Sequence, residues 1–175
     1  TRLYIVDITA GIKPMIHGSQ SRQLSMGGLL FSGNAHPIPR ITIGIDDYIP
    51  FPGLFGYLEI KGGLSHGWLS EQDTYVTESN IFVDKVKLHH KFIGLRVGGC
   101  LPVTLAYEMH HAAQWGGYKN PLLSGEPTID YGNRWKDFWN VFFFQSGGIS
   151  LSDQLNAQGN HIGFQEITLA YHRNG

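Results

Sequence analysis

Residues 40–46 read Arg-Ile-Thr-Ile-Gly-Ile-Asp, and this period of two constrains the chain more than any other feature. Successive side chains of an extended strand point to opposite faces, so Ile41, Ile43 and Ile45 form one oily side, opposite Arg40, Thr42 and Asp46. The same alternation recurs at Leu58, Ile60 and Leu64 against Glu59, Lys61 and Ser65, with Gly62 and Gly63 predicting a bend or bulge. Val103, Leu105, Tyr107 and Met109 alternate with Thr104, Ala106, Glu108 and His110. Before them, Lys85, Lys87, His89 and Lys91 read as a cationic row opposite Val86, Leu88 and Phe92. Ile93, Leu95 and Val97 then continue the apolar side, which predicts a change of phase at Phe92-Ile93 of the kind a β-bulge makes. Gly98, Gly99 and Cys100 join the two segments as a hairpin turn.

Tyr4, Val6 and Ile8 near the start, Ile167, Leu169 and Tyr171 near the end, and a weaker segment over 24–31 complete the count. The expectation is an all-β chain of about six or seven antiparallel strands, each of roughly the length that crosses a bilayer at a tilt. One stretch differs. Trp135, Phe138, Trp139, Phe142 and Phe143 fall at helical spacing after the turn-rich Tyr131-Gly132-Asn133, predicting a short helix within 134–145. It sits between two long connections, over 116–132 and 145–160, so that long and short connections alternate. There is no internal repeat and no linker, and the whole of 1–175 reads as a single segment of one domain.

Composition narrows the choice. Charged residues are 15% of the chain, against about 25% in ordinary globular proteins. Aromatics reach 13%, and there are 23 glycines. The net charge of −1 lacks the basic footprint that neutralises phosphates, which argues against nucleic acid as a partner. The single cysteine, Cys100, permits no internal disulfide and no multi-cysteine metal site, and it reads as a packed residue. No run approaches the 18 or so apolar residues of a membrane helix. Thr1 opens the chain with no secretory leader after it, and an internal piece of a longer protein is expected.

Alternation alone fits two architectures. In a membrane barrel the oily side meets lipid and the polar side lines a lumen. In a soluble sandwich the oily side meets a second sheet and the polar side meets water. Tyr48, Phe51, Phe55, Tyr57, Trp68 and Tyr75 lie near expected strand ends, where either an interfacial belt or a core would use them.

Six strings carry a resemblance. SGNAHPIPR over 32–40 runs into ITIGIDDYIPFP and then GLFGYLEIKGGLSHGWL over 53–69. LHHKFIGLRVGG over 88–99 is followed by HHAAQWGG over 110–117, and NAQGNHIGFQEITLAY covers 156–171. In this order the set resembles the capsule-assembly proteins of the Wzi family across most of the chain, with 118–145 the least distinctive part. That resemblance implies a bacterial outer-membrane barrel of about 18 antiparallel strands that binds capsular polysaccharide and supports its attachment to the cell surface. It also implies outer-membrane lipid, and other outer-membrane proteins, as partners. Six or seven strands cannot close such a ring, so this chain would be a partial barrel, the short helix lying in a long loop.

The residues themselves suggest a non-catalytic role with no cofactor. Gln114, Trp115, Tyr118, Trp135 and Trp139 in or near the long loops are the candidates for sugar contact, since saccharides stack on aromatics and bond to planar polar groups. Arg40, Glu59, Lys61, Lys85, Lys87, Lys91, Glu108 and His110 are expected to line a lumen. The pairs His89-His90 and His110-His111 cannot chelate as neighbours, because adjacent strand residues face apart, although His89 and His110 could meet across the hairpin. Glu59 with Glu108, or Asp46 with Asp47, could be cast as a glycosidase carboxylate pair. A soluble β-sandwich carbohydrate-binding module, a subunit of a larger outer-membrane complex and a surface glycosidase are the rival readings.

Overall fold

The computed structural model describes residues 2–3, 5–14, 30–32, 35–69, 83–119 and 127–172, with the side chains of Arg2 and Leu3 left aside. The chain is mostly antiparallel β-sheet, with two short helices among the described residues. Its strands are β1 (Arg2–Leu3), β2 (Val6–Ile12), β3 (Pro39–Pro50), β4 (Leu58–Trp68), β5 (Val83–Asp84), β6 (Lys87–Val97), β7 (Val103–Trp115), β8 (Tyr118–Lys119), β9 (Ile129–Asp130) and β10 (Asn160–Tyr171). Seven form one sheet in the order β1-β2-β3-β4-β6-β7-β10, and β5-β8-β9 form a second, smaller one. Among the described residues the large sheet is not closed into a ring. The main strands thus fall where the period of two placed them. Tyr4 and all but the last two residues of the weak segment over 24–31 lie outside the described residues, as does Tyr75.

Two compact units are distinguished. The first comprises residues 1–65, 90–112 and 162–175, and the second 66–89 and 113–161.

In the first unit the alternation is present, and its sense is the reverse of a soluble sheet. Along β7, Val103, Leu105, Tyr107 and Met109 are exposed, while Thr104, Ala106, Glu108 and His110 are buried. Leu105 is 46% exposed and Glu108 6%. Ile41 and Ile43 of β3, Leu64 of β4, Ile93, Leu95 and Val97 of β6, and Ile167, Leu169 and Tyr171 of β10 are exposed in the same way. Glu59 and Ser65 are buried.

The change of phase expected at Phe92-Ile93 is not found. Phe92 stacks on His110, with ring centroids 5.5 Å apart, and on His90 at 5.8 Å, so it belongs to the buried side. Gly94 continues that side, and Ile93, Leu95 and Val97 the exposed one. Phe92 is an apolar residue on the polar face, which is why a hydropathy pattern misplaced it.

Glycine explains how that ring is housed. A Cβ on Gly63 would come 2.9 Å from Phe92 Cε1 and 3.0 Å from Gly44 Cα, and one on Gly44 would come 2.8 Å from Gly63 Cα. The aromatic ring covers the bare backbone, a device that bent sheets use to fill the gap a glycine leaves. Gly63→Val is therefore expected to cost roughly 1–3 kcal/mol through overpacking, read as a lower urea midpoint at unchanged slope. The β6–β7 turn needs a glycine for a different reason. Gly98 has φ +84°, and a side chain there would meet the Val103 carbonyl.

The second unit holds α1 (Trp135–Phe142) and α2 (Leu151–Leu155). α1 starts where expected. The Arg134 backbone N–H donates to Asp137 Oδ2 at 2.9 Å, which ties the first turn. α2 was not foreseen inside the 145–160 connection, although Ser150 caps it by accepting from the Asp153 N–H at 3.0 Å. Among the described residues the core of this unit is small: Ala113, Trp115 and Val141, with Phe138 packed against them.

Candidate functional site: a buried polar wall and an aromatic cluster

Within the first unit, the buried face of β3, β4, β6 and β7 carries a charge network. Lys61 Nζ lies 2.6 Å from Glu108 Oε1, and the Tyr48 hydroxyl donates to the same oxygen at 3.0 Å. His110 Nε2 lies 3.2 Å from Glu108 Oε2. Arg96 Nε donates to Glu59 Oε2 at 2.5 Å, and its guanidinium sits 4.4 Å from the Tyr48 ring centroid. Lys61 Nζ also lies over that ring, at 4.7 Å. A Cβ on Gly94 would strike Lys61 and the Tyr48 hydroxyl, so the missing side chain there makes room for the network.

Each carboxylate is thus engaged by a cation, and desolvated charges are tolerated only with such partners. Glu59 and Glu108 are each held by these pairings, which gives them a structural role. The network continues into a ring stack: His110 lies 4.6 Å from Phe164, and 5.7 Å from His90. It is His90 that stacks on His110, whereas His89 lies in the second unit with its ring 5.6 Å from Phe138.

Of the residues expected to face a lumen, Glu59, Lys61, Glu108 and His110 come together in this network. Arg40 does something else, donating to the carbonyls of Lys13 and Pro14 at 3.0 and 3.3 Å. The three remaining lysines do not form a row. Lys85 is exposed at φ 57°, outside any strand, with Nζ 5.9 Å from the Tyr118 ring centroid. Lys87 belongs to the second unit, and Lys91 lines a notch with Leu64, Ile93 and Met109, residues of the exposed side. Neither Tyr48 nor Arg96 is expected from the sequence to join a charge network. Arg96 was legible as a polar position between Leu95 and Val97, and Tyr48 had been grouped with the belt aromatics.

In the second unit the Lys87 ammonium sits 4.5 Å from the Trp115 ring centroid and donates to Asn133 Oδ1. Asn133 in turn donates to the Gly117 carbonyl at 3.1 Å and accepts from the Gly117 N–H at 3.0 Å, which fixes the turn after β7. Phe138 of α1 is ringed by His66 at 5.7 Å, His89 at 5.6 Å and Trp115 at 6.0 Å.

The five sugar-contact candidates separate here. Gln114 and Trp115 line a cavity of about 430 Å³ together with Tyr131, Asp153, Gln158 and Asn160. Tyr118, Trp135 and Trp139 are not among its lining residues. Trp115 is 5% exposed and part of the core, and Trp135 is 73% exposed, stacked on Phe138 at 5.3 Å. Gln158, which the sequence did not flag, is 1% exposed. Its Oε1 accepts from Asn140 at 3.1 Å, while its Nε2 and the Trp115 Nε1 have no hydrogen-bond acceptor among the described residues. No group of three His, Cys, Asp or Glu suited to a metal ion occurs among the described residues. No family model, no curated protein and no solved structure matches the chain.

Proposed function

We propose that this chain forms part of the wall of a bacterial outer-membrane β-barrel, and that the barrel takes part, without catalysing a reaction, in placing polysaccharide on the cell surface. The inverted burial of the first unit carries the membrane half of this reading. Water penalises an exposed isoleucine and rewards an exposed glutamate, yet here Ile41, Ile43, Ile93 and Ile167 are exposed and Glu59 and Glu108 are buried. A solvent of hydrocarbon outside and polar groups inside makes both placements favourable. The strand lengths agree, since β3, β4, β6, β7 and β10 have 11 to 13 residues. In lipid the outer edges of β1 and β10 must be paired, so the ring is completed by further strands.

The polysaccharide half rests on the ordered blocks that resemble the capsule-assembly family. The 430 Å³ cavity adds chemistry suited to it, with amide side chains beside an indole.

The test uses the full chain in phospholipid vesicles, with Cys100 replaced by serine and a single cysteine placed at 105 or 106. A fluorophore at 105 is expected to be quenched by acyl-chain nitroxides, and one at 106 is not. Leu105→Arg is expected to lower stability in the bilayer by about 2–4 kcal/mol. A 105 label quenched only from water sinks the membrane reading. Retention of labelled capsular polysaccharide by cells with and without the protein tests the other half: no difference in release to the medium would refute it.

A further inference from the structure

The cavity of about 430 Å³ in the second unit has a largely polar lining with one sign of charge. The residues that line it include the carboxamides Gln114, Gln158 and Asn160, the hydroxyls Ser152 and Tyr131, and the acid Asp153. Among the described residues no lysine, arginine or histidine lines it. Lys87, whose ammonium lies 4.5 Å from the Trp115 ring centroid, stands outside the lining. It donates to Asn133, and its charge interacts with those of Asp130 and Asp137.

Two of these residues are held in place by the fold itself. Gln158 is almost wholly buried, its Oε1 accepts from Asn140 at 3.1 Å, and its backbone N–H donates to the Gln145 carbonyl at 2.9 Å. Gly132 and Gly147 leave room for its amide, since a Cβ at Gly132 would come 2.6 Å from Nε2 and one at Gly147 would strike Oε1. Asp153 is tied at three points: its N–H donates to Ser150 Oγ at 3.0 Å, its carbonyl accepts from the Gly147 N–H at 2.8 Å, and its Oδ1 accepts from the Gly159 N–H at 3.3 Å. A wall fixed in this way loses little freedom when a ligand binds. Trp115 supplies shape more than a stacking surface, because it is buried in the core with an ammonium over its ring.

Carboxamides and hydroxyls both donate and accept hydrogen bonds, and so do the hydroxyls of a sugar. An acidic sugar would bring a second carboxylate close to Asp153. A cavity of this volume is roughly 9 Å across, about one Debye length at physiological salt, so a ligand charge anywhere inside it feels that carboxylate. We infer that the cavity is a subsite for an uncharged sugar residue of the surface polysaccharide, and that Asp153 excludes uronic acids and other anionic sugars from it. The inference rests on the polysaccharide reading given above and specifies the class of residue taken.

The experiment titrates the full chain, in phospholipid nanodiscs, with the methyl glycosides of glucose, galactose and mannose and with the matching methyl uronosides, read by saturation-transfer NMR. At least one neutral glycoside is expected to bind, and to do so about fivefold more tightly than its uronic counterpart at low salt. Raising the salt to about 1 M, where the Debye length falls to about 3 Å, is expected to bring the two together. Asp153→Asn, which keeps a side-chain oxygen for the Gly159 N–H, is expected to do the same at low salt. Gln114→Ala is expected to weaken the neutral glycoside by about fivefold. Failure of every neutral glycoside to bind overturns the subsite, as does a uronoside that binds as tightly as its neutral partner. Neutral binding untouched by Gln114→Ala puts the sugar elsewhere and overturns it too, and a preference that survives both high salt and Asp153→Asn overturns the role of Asp153. The cell-retention assay separates the two readings. Retention without any neutral preference in the titration removes the subsite and leaves the polysaccharide role standing, whereas no difference in retention removes both.

Discussion

Glu108→Ala is expected to destabilise the folded chain by about 3–5 kcal/mol, because it leaves Lys61 without its counter-charge on a buried face. Glu108 accepts from Lys61, Tyr48 and His110 at 2.6, 3.0 and 3.2 Å, so a single truncation strips three partners at once. The side chains of Lys61 and Glu108 are only 12% and 7% exposed, and water cannot readily replace what is removed. The matching double replacement Lys61→Met with Glu108→Met is expected to recover most of the loss, since removing both charges also removes their desolvation cost. Urea unfolding of the wild type, Lys61→Met, Glu108→Met and the double replacement in vesicles gives the coupling directly. A single-mutant loss below about 1 kcal/mol would mean that the network sits in open water and contributes as little as a surface pair does.

The second large effect belongs to Trp115. Its removal is expected to cost about 3–5 kcal/mol, the usual range for emptying an aromatic site in a core. Among the described residues the core of the second unit holds only Ala113, Trp115 and Val141 with Phe138 beside them, so few of these neighbours can move in to fill the space. The indole face also carries the Lys87 ammonium, which orders Asn133 and through it the Gly117 turn. Trp135→Ala is expected to stay within about 0.5 kcal/mol, since that side chain is mostly exposed. Near-ultraviolet circular dichroism and urea midpoints distinguish the two. For polysaccharide binding it follows that Gln114 and Trp135 are the informative substitutions. A loss of binding in Trp115→Ala would report unfolding of the second unit as readily as loss of contact.

Much of the fold was legible because strand and helix periods are properties of the local backbone. Ile41, Ile43 and Ile45 share a side in any extended conformation, and Trp135, Phe138 and Trp139 approach one another in any helix. Where the reading failed, a side chain belonged to a face its hydropathy did not announce. Phe92 joins the polar side because Gly63 leaves a space across the sheet for its ring, and that space is invisible along the β6 sequence. Lys91 was then displaced onto the wrong face by the same error. Tyr48, read as one aromatic among several near strand ends, proved to be a donor to Glu108, a residue sixty positions later in the chain. The small sheet of β5, β8 and β9 escaped notice because two-residue strands have no period to detect.

The sequence by itself determined which residues travel together on a strand, because alternation follows from the geometry of each residue and its neighbours. Only the tertiary structure decided which of the two sides is covered, since burial depends on what lies across the sheet and over it, and both orientations satisfy the same alternating pattern. It also brought Lys61 to Glu108 and Arg96 to Glu59, pairings set by the register between distant strands. Coulombic attraction and desolvation act over distances in space, and no spacing along the chain encodes them.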